Sequence, residues 1–231
     1  MRTLLYSKLH SLDVKSSPAD AWLALAPARP ASFEHRYGEL TPQKLAGYEH
    51  VFLQLHDAAE ETIHSALAPY IPTAAFTAIK GLLVSFISTR ADLQRLHTIL
   101  SAVEAKFGLA AGRLQLVIEF GHHVEPLLAP QLLKGLSNRL TAIVWNEQAL
   151  RTTLGASHSR AENGALLPPF AHAQTICLMQ ARAAGVLALD SPSQHDAPFD
   201  QILKDAKTAQ QMGFDGKAFV SQAQRQAFLK G

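Results

Sequence analysis

The chain has 231 residues, 48% of them hydrophobic, and its 21 basic and 19 acidic residues give a formal net charge of +2. That balance, without a dense Lys/Arg run, argues against a nucleic-acid or anionic-lipid footprint; no apolar run is long enough to span a bilayer, and a single cysteine, Cys177, excludes a disulfide framework. One domain over residues 1–231 is expected, and a cytoplasmic setting, because Met1-Arg2-Thr3-Leu4-Leu5-Tyr6-Ser7-Lys8 lacks the sustained apolar region of a signal peptide.

In chain order, Arg2 to Tyr6 reads as a first strand, followed by an atypical excursion over about residues 10–40. Within it, Ser16 to Pro30 reads as a short helix between proline-marked turns. Val51 to Leu55 is a strand, Asp57 to Leu67 and Pro72 to Lys80 are helices, and Leu82 to Ile87 is a strand. A well-marked helix follows: Thr89 can cap it with Asp92 three residues on, and Leu93, Leu96, Leu100, Val103 and Phe107 recur at helical spacing until Gly108.

Next come strand Arg113 to Glu119, helix Val124 to Lys134, strand Leu140 to Trp145, a short helix through Leu150, and helix Pro169 to Ala184. Gly185 stops that helix before the strand Val186 to Asp190, and Gly213 stops another before a strand in Gly216-Lys217-Ala218-Phe219-Val220. Strands alternating with helices predict an α/β fold with parallel strands. The count is seven strands against the eight of a full (β/α)8 barrel, and the deficit falls between Leu55 and Leu82.

A Gly-Phe-Asp-Gly-Lys strand at Gly213 to Lys217, about one helix length after Ala183-Ala184-Gly185-Val186 and Asp190, resembles the HpcH/HpaI aldolase/citrate lyase beta subunit family. The resemblance covers roughly Leu40 to Phe228, and it implies a modified or incomplete TIM barrel of the phosphoenolpyruvate/pyruvate type, with its active site at the C-terminal ends of the strands. The family's second strand ends in Asp-Leu-Glu-Asp-Ala-Val, and Gln54-Leu55-His56-Asp57-Ala58-Ala59 is placed there, with His56 at the glutamate. The carboxylate-binding arginine of the family's Val-Arg-Val-Asn strand has no counterpart, and Phe86-Ile87-Ser88 replaces its Pro-Lys pair. Ile118-Glu119-Phe120 keeps the magnesium-binding glutamate, whereas Trp145-Asn146-Glu147-Gln148 stands where a second ligand, an aspartate, is expected. Of the terminal His-Pro-x-Gln, Ser221-Gln222-Ala223-Gln224 keeps the glutamine.

The resemblance implies a metal-assisted carbon–carbon lyase or aldolase acting on an acyl-CoA thioester or a 2-oxo acid, and assembly as a homo-oligomer. Magnesium, or manganese, would be held by Glu119 with Glu147 or Gln148; His56 or Asp57 would transfer the proton, and Asp190 would stand near the substrate. Plainer roles remain open for each: a structural ion pair for Glu119, a helix-start acid for Glu147, a turn cap for Asp190. His56, Asp57, His122 and His123 could converge on Glu119 as a transition-metal site or a general base, or lie solvated in loops. Cys177 reads as a small core residue. No Gly-x-Gly-x-x-Gly, Walker or Gly-x-Ser-x-Gly pattern is present. Two rivals stand beside the lyase: a non-catalytic barrel binding a small ligand or a protein partner, and a different reaction built on the histidines. Arg90 is the nearest substitute for the missing clamp.

Overall fold

A computed structural model describes residues 1–7, 21–25, 40–45, 48, 50–55, 57, 59–129, 132–133, 135, 138–193 and 197–230. The strands are β1 (Arg2–Ser7), β2 (Ala21–Leu25), β3 (His50–Leu55), β4 (Ile79–Val84), β5 (Gln115–Phe120), β6 (Leu140–Trp145), β7 (Leu187–Asp190) and β8 (Gly216–Phe219). The helices are α1 (Pro42–Leu45), α2 (Glu60–Leu67), α3 (Arg90–Lys106), α4 (Glu125–Leu128), α5 (Glu147–Thr153), α6 (Pro168–Ala184), α7 (Phe199–Met212) and α8 (Gln222–Lys230). All strand pairs are parallel, and they close in sequence order from β1 to β8 and back to β1. This is a complete (β/α)8 barrel.

Completeness corrects the strand count. The strand missing from the sequence-based count is β2, whose Ala-Trp-Leu-Ala-Leu falls within the expected short helix, and among the described residues no strand lies between Leu55 and Ile79. A five-residue apolar run carries no periodicity that separates strand from buried helix. Its surroundings decide: Leu23 pairs with Leu5 on one side and Val51 on the other, so the segment bridges two strands that could not otherwise close the barrel.

The new count shifts the family register. The strand ending at Leu55 is third in order, so His56 does not occupy the glutamate of a second-strand motif. β3, His-Val-Phe-Leu-Gln-Leu, carries no arginine.

Two helical expectations also change. The segment expected to be helical over Pro72 to Lys80 makes a single 3-10 turn, Ala74–Thr77, before β4 starts at Ile79. α4 stops at Leu128 instead of reaching Lys134, because Ala129 precedes a proline and is held extended (φ −91°, ψ 104°). Elsewhere local chemistry is followed closely: Thr89 and Asp92 form the reciprocal capping box of α3, and α6 and α7 end at Gly185 and Gly213.

Alternation along each strand sorts the apolar side chains into two layers. Leu4, Trp22, Phe52, Leu83, Val117, Val144 and Leu189 fill the barrel interior. Leu5, Leu23, Leu53, Ile118, Ile143, Ala188 and Phe219 face outward in a second, larger cluster that includes the helix residues Leu100, Phe170, Cys177 and Ile202. β4 and β5 approach so closely at Gly81 that a Cβ there would stand 1.9 Å from the Gln115 carbonyl oxygen. A buried pair, Arg139 Nη2 to Glu104 Oε2 at 2.7 Å, ties α3 to the entry of β6, and Glu104 also accepts the Leu114 and Gly112 amides. Because every strand runs the same way, the C-terminal ends of all eight share one face.

Candidate active site at the C-terminal mouth of the barrel

Glu119 is the next-to-last residue of β5 and follows the parity of Val117, so it points into the barrel just below the mouth, 2% exposed. Its Oε1 accepts the Tyr6 hydroxyl at 2.7 Å and the Asn146 side-chain amide at 3.0 Å. Its Oε2 stands 2.9 Å from Nε2 of His122. Burial pushes the carboxyl pKa up, but the hydrogen bond and charge of His122, with the bonds from Tyr6 and Asn146, outweigh it and hold the group below its ordinary value. Glu119 is therefore ionised. Tyr6, in turn, is pushed well above its usual range by burial and by the Glu119 charge, so it remains a protonated donor.

The loop after β5 brings His122 back onto its own strand. Gly121 turns the chain with φ 125°, and a Cβ there would meet the Asn146 carbonyl oxygen at 2.5 Å. The Gly121 carbonyl accepts the Thr153 hydroxyl, which fixes the turn against the end of α5. The His122 side chain is 33% exposed, half in the mouth and half in solvent.

Of the other expected site residues, those that are described do not join Glu119. Asp57 is exposed, and its Oδ1 accepts the Ala59 amide at 3.1 Å. His56 lies outside the described residues. The charge of His123 acts on Asp92 of α3. Asp190 ends β7 on the opposite parity from the inward Leu189, so it faces the helices rather than the mouth. There it accepts Trp145 Nε1, Gln174 Nε2 and Lys217 Nζ, each at 2.9 Å, and both Asp190 and Lys217 are buried.

Glu147 starts α5, and Arg160 binds it with two nitrogens, Nη2 to Oε2 at 2.6 Å and Nε to Oε1 at 2.8 Å; Ser159 adds a hydroxyl at 2.7 Å. Arg160 also reaches Asp205 at 3.0 Å. Gln148 is exposed and accepts Arg151 Nε at 3.1 Å. Beside His122 opens a cavity of about 930 Å³ lined by Asn146, Glu147, Arg151, Arg160 and Ser193 among others. Arg90, the substitute clamp, is exposed at the first turn of α3 and is not part of that lining.

Comparison with known proteins places this geometry. A profile of the HpcH/HpaI aldolase/citrate lyase family matches residues 61–222. The chain belongs to that family. No curated protein sequence matches the chain. Among solved structures, the citrate lyase beta subunit of Mycobacterium tuberculosis complexed with oxaloacetate and magnesium superposes with a TM-score of 0.70 at 16% identity, covering 99% of this chain and 95% of that one. CitE of the same organism with magnesium and acetate gives 0.69 at 16% identity over 100% and 91% of the two chains. Haloferax volcanii malate synthase, as a lead(II) complex, gives 0.71 at 15% identity over 98% and 71%. At such identity the likeness fixes the fold; the HpcH/HpaI profile, over most of the chain, fixes the family.

The magnesium site implied by the family resemblance does not fit the residues present. Glu119 is a single carboxylate with three donors on it, Glu147 is locked by Arg160, and Gln148 is turned to Arg151. Among the described residues no group of three His, Cys, Asp or Glu side chains is placed to share a metal ion. Magnesium keeps several waters and is held through one or two protein carboxylates, so what counts against it here is that both candidate carboxylates are already engaged by protein donors. No helix among the described residues is long and apolar enough to cross a membrane.

Sequence reading missed four participants. Tyr6 and Glu119 are 113 residues apart, and nothing local links them. Arg160 and Ser159 stand in an irregular loop beyond α5. Only Asn146 carried a signal, as the cap of α5; its Oδ1 does accept the Ala149 amide at 3.0 Å, while its Nδ2 serves Glu119.

Proposed function

We propose that this barrel binds a small carboxylic or 2-oxo acid in the cavity beside its mouth and moves a proton on it with His122, oriented by Glu119, as the proton step of a carbon–carbon lyase or aldolase. The carrying observation is the 2.9 Å contact between Glu119 Oε2 and His122 Nε2 at the rim of an open cavity. An ionised Glu119 paired with Nε2 orients the imidazole at the cavity rim, where the ring is the group that would take up and return a proton. A buried carboxylate that fixes the tautomer and orientation of a histidine is a recurring design for a general base.

The acid class comes from the relatives, whose solved complexes hold oxaloacetate or acetate. A cavity of about 930 Å³ is larger than such an acid fills, which supports an extended substrate such as an acyl-CoA thioester. Cys177, a buried free thiol, supports a cytoplasmic setting. A second reading, a non-catalytic barrel that binds a small ligand or a protein partner, is favoured by the absence of an arginine on β3.

Ligand-observed NMR of pyruvate and oxaloacetate with the chelator-treated protein tests the binding. Saturation transfer to the acid with no divalent cation present is expected. Transfer that appears only after magnesium is restored would overturn the reading.

A further inference from the structure

We infer that Arg151 is the carboxylate clamp of this site, standing on α5 in place of the arginine that β3 lacks, and that the Ser193 hydroxyl is a second anchor for the same ligand. The inference rests on the proposed acid-binding reading and assigns the recognising residues.

Two guanidinium groups line the cavity, and they differ in the charge they still have to offer. Arg160 lines it, but it faces two carboxylates, Glu147 and Asp205. Its positive charge is already offset, and its nitrogens Nε, Nη1 and Nη2 all donate within the protein. Arg151 lines the same cavity and is bound by neutral acceptors only: Nε donates to Gln148 Oε1 and Nη1 to the Ser157 carbonyl, each at 3.1 Å. Among the described residues it has no carboxylate partner. A guanidinium held in place by neutral groups is pre-organised for an external carboxylate, and hydrogen bonds with a charged partner are the stronger ones.

Ser193, three residues beyond β7, supplies an independent pointer. It is 6% exposed, it lines the same cavity, and its hydroxyl has no hydrogen-bond partner among the described residues. Buried hydroxyls are nearly always paired, so an unpaired one in a cavity wall calls for a ligand or solvent oxygen. Its neighbour Ser191 shows the contrast, since its hydroxyl is occupied by the Glu147 amide.

Calorimetric titration of pyruvate, and separately of its uncharged methyl ester, into wild type, Arg151→Ala, Arg151→Lys and Arg90→Ala tests the assignment. Expected are pyruvate binding to wild type, roughly ten- to a hundredfold weaker binding to Arg151→Ala, a partial loss in Arg151→Lys, an unchanged Arg90→Ala, and weak binding of the ester to wild type. The ester comparison needs no variant, so it decides even where a substitution perturbs folding. Wild-type binding that the ester matches, or that Arg151→Ala and Arg151→Lys leave unchanged, would overturn the clamp and leave the acid-binding reading standing. Wild type that binds neither compound would overturn both.

Discussion

Methyl protons of pyruvate are expected to exchange with deuterated solvent on the wild-type protein in the presence of a chelator, and the rate is expected to fall roughly a hundredfold or more in His122→Gln. In the exchange step a C–H bond of the methyl group breaks, its electron pair forms the C=C bond of the enolate, and the carbonyl π pair moves to oxygen. His122 takes the proton and returns a deuteron after exchange with solvent. Glutamine cannot do this. Glu119→Gln keeps the shape of the orienting side chain but removes the charge that fixes the histidine tautomer, so it too is expected to slow exchange. Tyr6→Phe removes one donor from Glu119 without touching the histidine, and its effect should be smaller. Proton NMR of the pyruvate methyl signal reads all three. Exchange that His122→Gln leaves intact would move the proton step elsewhere.

The largest stability effect is expected behind the barrel wall. Asp190→Ala leaves Lys217 buried without its carboxylate, and breaking a buried pair of this kind costs about 3–5 kcal/mol. The loss is compounded because Trp145 Nε1 and Gln174 Nε2 also lose their acceptor. The pair itself need not be strongly stabilising: Asp190→Leu combined with Lys217→Met is expected to recover the part of the loss that comes from the orphaned charge, while Trp145 and Gln174 stay without their acceptor. Urea denaturation midpoints of wild type, Asp190→Ala and the double variant distinguish these outcomes. Burial raises the Asp190 pKa, but Lys217, Trp145 and Gln174 together lower it below the ordinary value. Its contribution is therefore complete above the unfolded carboxyl pKa and disappears as pH falls through the lower folded one. A double variant no more stable than Asp190→Ala would contradict this account of the pair.

How legible the site was depends on what kind of information placed each residue. Glu119 was readable because it closes a long apolar run, at the place where the resemblance expects a glutamate. The Thr89–Asp92 capping box and the glycine stops at Gly185 and Gly213 were readable because their chemistry is local. Asp190 was read to the wrong side of the wall. In Leu187-Ala188-Leu189-Asp190 both neighbours of the turn are apolar, so the sequence does not say whether Ala188 or Leu189 faces inward, and a one-residue change of parity moves the acid from mouth to helix layer. β2 was hidden for a related reason, as a short apolar run between prolines that becomes a strand only because β1 and β3 leave a gap of that width. Glu147 was legible as an acid at a helix start, but its partner Arg160 is supplied by a loop that only the folded chain brings back.

On this reading the carboxylate at the end of β5 serves a histidine rather than a divalent cation. Calorimetric titration of magnesium, then manganese, into metal-free protein with and without oxaloacetate, comparing wild type with Glu119→Gln, tests it most directly. No cation binding that depends on Glu119 is expected, while oxaloacetate itself should bind with the chelator present. Magnesium binding that Glu119→Gln abolishes and oxaloacetate tightens would contradict it and restore a metal-assisted lyase site.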